Sequence, residues 1–223
     1  MSFGYLGDTS TKIKQQVKNQ GVISIAESYE LEKLGHLGGS LELIQSQTAS
    51  SSSSLDFTNL GNFDVHLFTG RNINMSANNQ FFRARLSNDG GSSYENSNYD
   101  QAGMRMLAST TPYETQSTTD TFFGHTLTDN SGGYSSSADN GNFYMYCYNL
   151  LNSSKYSYST SHSIGLEQSS STVSTMFGGG VYHVAETVNA VRFLNASSGT
   201  FSGVIKLYGV KQWVTCDWLI KVL

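Results

Sequence analysis

The stretch Phe143-Tyr144-Met145-Tyr146-Cys147-Tyr148 alternates without a break, with Phe143, Met145 and Cys147 on one side and three tyrosines on the other. Successive side chains of a strand point to opposite faces, so this period of two predicts a half-buried β-strand with one oily face and one tyrosine face. The same reading extends outward in both directions. Phe63, Val65 and Leu67 alternate with Asp64, His66 and Phe68, and Phe82, Ala84 and Leu86 alternate with Arg83, Arg85 and Ser87. Further strands are predicted at Leu41 to Ile44, Leu55 to Thr58, Met104 to Ala108, Thr121 to Leu127, Tyr156 to Thr160, Thr187 to Leu194 and Val204 to Val210. Loop signals separate them at Ser50 to Ser54, Asn88 to Ser93, Asp129 to Gly141, Glu167 to Thr172 and Ala196 to Gly199. Phe177-Gly178-Gly179-Gly180 and Asp89-Gly90-Gly91 read as turns and bulges, because neither has the flanking residues of a phosphate loop.

About ten short strands with turn signals between them, and hardly any helix after Gly39, point to an all-β antiparallel sandwich of the jelly-roll kind. The expected inward set is Phe63, Val65, Leu67, Phe82, Leu86, Phe143, Met145, Val191, Phe193, Ile205 and Leu207. The 223 residues are enough for one main domain, taken as 40–211. Residues 1–39 form a short, partly helical arm. There Ile13 and Val17 sit four apart among Lys12, Lys14, Gln15, Gln16 and Lys18, with Thr9 or Ser10 as N-cap and Gly21 after the end. A second helix is predicted from Ser24, with Glu27 as in a capping box and Gly35 as the stop, although Val22-Ile23-Ser24-Ile25 also suits an extended segment.

Charged residues supply only 13% of the chain, about half the usual share, so its polarity comes from Ser, Thr, Asn, Gln and Gly, which suit turns and uncharged surfaces. A net charge of −4 argues against nucleic acid, whose phosphates require clustered Lys and Arg. The amino terminus has no apolar core of signal-peptide length and no stretch is long enough to cross a bilayer. A soluble protein made in a cytoplasm, not secreted by the usual route and with no membrane partner, is expected. Cys147 and Cys216 read as free thiols, being too few for a disulfide framework and lacking zinc spacing.

No catalytic motif stands out, and no enzyme activity is expected. The five histidines, His36, His66, His125, His162 and His183, are scattered and read as surface or satisfied side chains, so no metal or cofactor is assigned. The loop from Ser87 to Glu95, with Asp100 beyond it, offers oxygens for Ca²⁺ but lacks EF-hand spacing and is read as a hairpin turn. Tyr144, Tyr146 and Tyr148, with Tyr156 and Tyr158, suit either a sugar-binding platform or a cross-strand ladder packed against a neighbouring subunit. Pro112 is the only proline available to block a sheet edge, which points to assembly into a homo-oligomer, with a trimer expected.

Several blocks carry a resemblance. They are Thr11-Lys12-Ile13-Lys14-Gln15-Gln16-Val17-Lys18-Asn19 with Gly21-Val22, Leu37-Gly38-Gly39-Ser40-Leu41-Glu42-Leu43-Ile44, Leu55-Asp56-Phe57-Thr58, and Asp64-Val65-His66-Leu67. Arg85-Leu86-Ser87-Asn88-Asp89-Gly90-Gly91-Ser92, Tyr148-Asn149-Leu150-Leu151 and Ile205-Lys206-Leu207-Tyr208-Gly209-Val210-Lys211 follow. Together they resemble a family of jelly-roll virion structural proteins of tailed, often marine, bacteriophages. The resemblance implies a non-enzymatic protein on the particle exterior, most simply a capsid decoration or cement protein bound to the major capsid protein. The alternative it implies is a short tail fibre or receptor-binding protein that docks to tail proteins and touches host surface glycans. In either case Lys12, Ile13, Lys14, Val17 and Lys18 form the expected virion-attachment strip, a basic, partly apolar face suited to an acidic groove, with a solvated helix folded back on its own sandwich as the other reading. The family supplies no active-site residues. The chain departs from the pattern after Lys211, where 212–223 add an apolar extension containing Trp213 and Trp218 that either completes the sandwich or plugs into a neighbour.

Overall fold

Six phenylalanines from six different strands meet in the core of the unit Leu41–Lys211. In the computed structural model, which describes residues 40–77, 80–123, 140–167 and 172–211, the Phe193 ring lies 5.9, 5.1, 5.7 and 5.7 Å from those of Phe57, Phe68, Phe82 and Phe143. Phe201 closes on Phe82 at 4.9 Å. Most of these pairs are edge-on or tilted, as the aromatic quadrupole favours.

The strands that carry these rings form two antiparallel sheets. In chain order they are β1 (Leu41–Ser52), β2 (Ser54–Phe57), β3 (Val65–Met75), β4 (Phe82–Ser87), β5 (Tyr99–Leu107), β6 (Tyr113–Asp120), β7 (Gly141–Tyr148), β8 (Ser157–Glu167), β9 (Thr172–Tyr182), β10 (Ala190–Asn195) and β11 (Phe201–Val210). The larger sheet has the order β1-β11-β3-β7-β8-β9-β5-β6, and the smaller has β2-β10-β4. Beyond β4, Phe123 makes an isolated antiparallel bridge to Ala84. Residues Leu41–Lys211 cluster as one compact unit, all-β and antiparallel, with no helix among the described residues. Its core lies between the two sheets. Phe57, Phe82 and Phe193 of the smaller sheet face Phe68, Phe143, Met145, Ile205 and Leu207 of the larger, and all of these are buried.

Phe82, Leu86, Phe143, Met145, Val191, Phe193, Ile205 and Leu207 are buried in this core, as their periodicity predicts. The alternation in β3 is inverted. Phe68 pairs in register with Leu207 and Met145 and belongs to the core, while Phe63 and Val65 are only half-buried. Leu67 is buried on the opposite face, between Tyr208 and Tyr146. His66 shares the inward face with Phe68 because its Nε2 meets the Leu60 carbonyl at 2.9 Å, so a polar side chain occupies a position that the alternation gives to solvent. A one-residue slip exchanges the faces of a whole strand.

Several predicted boundaries also move. β1 runs into the loop expected at Ser50 to Ser54 as far as Ser52, and β2 starts at Ser54, with a register shift between Ala49 and Ser52 and Ser51 at φ 50° absorbing the extra residue as a bulge. The strand expected at Thr121 to Leu127 is reduced, within the described residues, to the Phe123 bridge, and the rest lies outside them. Asn88 to Ser93 joins two strands of different sheets, so it is a crossover loop and not a hairpin. Glu167, Thr172 and Gly141 belong to strands. The loop centres at 168–171 and 129–139 lie outside the described residues, as do the predicted arm helices and residues 212–223.

The largest correction concerns Phe177-Gly178-Gly179-Gly180, expected as a turn and found in the middle of β9, paired on both sides with β8 and β5. A Cβ on Gly178 would run into the Ala102 carbonyl oxygen, on Gly179 it would lie 2.5 Å from that of Ser159, and on Gly180 2.8 Å from that of Asp100. The neighbouring backbones leave no room for a side chain, so glycine is required here by close approach.

Candidate functional site

The outward face of the strands β7, β8, β9, β5 and β6 gathers most of the exposed aromatic and apolar side chains. Antiparallel register sets them in rows. One row runs Tyr144, His162, Phe177, Met104, Glu114, and the next toward one end runs Asn142, Ile164, Thr175, Met106. Toward the other end lie Tyr146, Thr160, Gly179, Ala102, Gln116, and then Tyr148, Tyr158, Val181, Asp100. Each row is a line of cross-strand neighbours close enough to act together.

The tyrosine stripe of β7 is where the alternation places it, but its rings are largely engaged with one another. Tyr146 and Tyr148 stack at 6.5 Å, Tyr144 meets Tyr146 edge-on at 6.2 Å, and the Tyr148 hydroxyl pairs with Thr160 Oγ1 at 3.2 Å. Tyr144 also sits edge-on to His162 at 5.6 Å. Because Thr175 Oγ1 donates to the Ser163 carbonyl at 2.8 Å, it accepts from His162 Nε2 at 2.7 Å, which fixes the proton on that nitrogen. A packed ladder of this kind shows a flat ring only at its margin. Tyr144 and, one strand on, Tyr158 are the exposed members, and the Tyr158 side chain is 46% exposed.

The two rows at the Tyr158 end border an open cleft of about 780 Å³. Its floor is Gly179 and Ala102, the two smallest side chains of their row. Its walls include Tyr158 and Val181, with Asp100 and Gln116 as polar groups. A register shift between Tyr99 and Gln101 sets the single residue Asp100 against two residues of β6, Thr118 and Thr119, a bulge at the edge of the cleft that Thr118 lines. Asp100 Oδ2 lies 3.4 Å from His183 Nε2, and His183 in turn packs against the Tyr156 ring at 5.6 Å.

Other chemistry-bearing groups are committed to the fold. Arg192 grips Asp56 with both ends of its fork at 2.6 and 2.7 Å, tying β10 to β2, and the Tyr94 ring covers the guanidinium at 3.9 Å. Burial, aided by Asp56, pushes the Tyr94 phenol up to about 12. In the loop after β4, Asp89 accepts from Ser87 Oγ, Ser93 N and Ser93 Oγ at 2.8, 2.9 and 2.7 Å, so its oxygens are occupied by the loop itself, and these bonds hold its carboxyl well below the usual range. Burial pushes the Cys147 thiol up, away from reactivity. Among the described residues no three His, Cys, Asp or Glu side chains converge to hold a metal ion. Lys12, Ile13, Lys14, Val17 and Lys18 lie outside the described residues.

Tyr156 and Tyr158 were legible as aromatic candidates, and Asp100 stood out as an acid beyond the loop. Gly179 was read as part of a turn and His183 as a surface or satisfied histidine, while Ala102 and Gln116 carried no signal, because the start of β5 and all of β6 lack apolar alternation. Comparison of the chain with protein-family models, with characterised proteins and with solved structures returns no match.

Proposed function

We propose that this protein is a non-enzymatic structural component of a bacteriophage particle's exterior, a jelly-roll module that decorates or cements the head by packing copies of itself on the major capsid protein. The observation that carries this reading is the apolar end of the outer sheet face, where Ile164 and Phe177 are 50% and 46% exposed beside Tyr144, Met106 and Val173. Isolated soluble domains rarely leave a contiguous apolar patch uncovered, and components of assemblies do so as a rule.

The jelly-roll reading is supported by strand order. β1-β11-β3-β7 faces β2-β10-β4 with the Phe123 bridge beyond, so that β1 to β4, and then Phe123, β7, β10 and β11, alternate between the sheets as in a pair of Greek keys. β5-β6 and β8-β9 are then hairpins added to one sheet. The groups described above that are commonest in catalysis are tied into structural pairs, which favours a binding or scaffold role. Residues 1–39 are assigned as the attachment arm, with Lys12, Ile13, Lys14, Val17 and Lys18 as its contact strip.

A short tail fibre or receptor-binding protein is the second reading, favoured by the open cleft beside Tyr158. Quantitative mass spectrometry of purified particles separates the two. Hundreds of copies per particle support the head protein, tens or fewer the fibre, and absence from washed particles overturns both.

A further inference from the structure

We infer that the cleft floored by Gly179 and Ala102 is a binding site for a neutral pyranose unit of a glycan. Its volume of about 780 Å³ falls in the range of ligand pockets and accommodates one or two sugar rings. A pyranose has an axial C–H face that packs on an aromatic ring and a rim of hydroxyls that each need a donor or an acceptor. Tyr158 supplies the ring at the wall, with nearly half of its surface open. At the rim, Asp100 offers two acceptor oxygens and the Gln116 amide both donates and accepts, with Thr118 beside them.

Two details separate this site from a chance depression. Gly179 and Ala102 give the floor no bulk, so a ligand can lie against the sheet itself, and the bulge opposite Asp100 lies at the edge of the same space, where Thr118 lines it. Asp100 Oδ2 also lies 3.4 Å from His183 Nε2, and the His183 ring packs against Tyr156, which places a second polar side chain beside the acceptor. Charge decides the class. The described lining contains a carboxylate and no Lys or Arg, so it repels sialic and uronic acids and phosphates and leaves neutral sugars. Binding at this cleft is independent of where on a particle the protein sits.

Saturation-transfer NMR on the full chain with the methyl pyranosides of glucose, galactose, mannose and rhamnose, and with methyl glucuronide as the charged control, tests it. At least one neutral glycoside is expected to bind in the millimolar range. Asp100→Asn and Tyr158→Ala should each weaken it about tenfold or more, Tyr158→Phe should retain it, and Ala102→Leu should abolish it by filling the floor. Both Tyr158 and Ala102 are exposed, so these variants are expected to fold, and an unchanged circular dichroism spectrum verifies this for each. No transfer to any neutral glycoside, binding unaffected by Ala102→Leu, or a preference for the glucuronide would each overturn the assignment.

Discussion

His66 is the side chain whose setting departs furthest from what its type suggests. It is fully buried, with Nε2 on the Leu60 carbonyl, Phe63 edge-on at 6.3 Å, and Nδ1 without a hydrogen-bond partner. Burial pushes its pKa below the ordinary value, against the opposing pull of the Leu60 carbonyl and Asp64, so the folded protein holds it neutral. The unfolded chain then binds a proton near pH 6.5 that the native state binds less readily. Stability contributed by the neutral ring is present above that pH and is lost as pH falls below it. Urea unfolding between pH 7.5 and 5.5 should show a decline in stability that His66→Gln, which keeps a donor for Leu60 and does not titrate, flattens. Parallel declines in both proteins would show that other groups set the acid sensitivity. The same residue explains the inversion of β3: alternation treats a histidine as solvent-facing, and only the loop carbonyl that receives it makes the inward position tolerable.

At the scale of elements, the triple glycine of β9 controls how three strands approach. Gly178→Ala places a methyl against the Ala102 carbonyl and should cost about 1–3 kcal/mol, the range for overpacking, or prevent the hairpin from pairing. Gly90→Ala is the contrast, since at Gly90 nothing lies within 4 Å and only the φ of +76° resists a side chain, so about 1 kcal/mol or less is expected. Equal losses in chemical denaturation would show that close approach is not what selects glycine in β9. These residues also mark the limit of what the sequence discloses. β4 and β7 show their faces because each has an apolar core side and a polar or tyrosine outer side, and register follows from that pattern. β9 has only part of such a pattern, and β6, with its Thr, Gln and Ser, has none. Both are specified by what their neighbours leave open. The cleft lies between elements of the second kind, so its aromatic wall was visible beforehand and its floor was not.

For the whole molecule, the apolar end of the outer face is the basis for the proposed self-association. Light scattering on the purified chain at micromolar concentration should give about three times 24.3 kDa. Ile164→Ser combined with Phe177→Ser should shift the protein toward monomer without unfolding it, because both positions are exposed. A monomeric parent protein would remove the argument for self-packing. The pairing of Leu41 with Val210 bears on biosynthesis as well. The first strand of the sandwich has its partner in the last, so a ribosome must complete nearly the whole described unit before β1 can be hydrogen-bonded into place. Throughout translation a twelve-residue strand stays available for pairing with the wrong chain. Neighbouring nascent chains on one message are the nearest such strands, so the protein's yield in a host cell should depend on how densely ribosomes load and on the chaperones that shield that strand until its partner emerges.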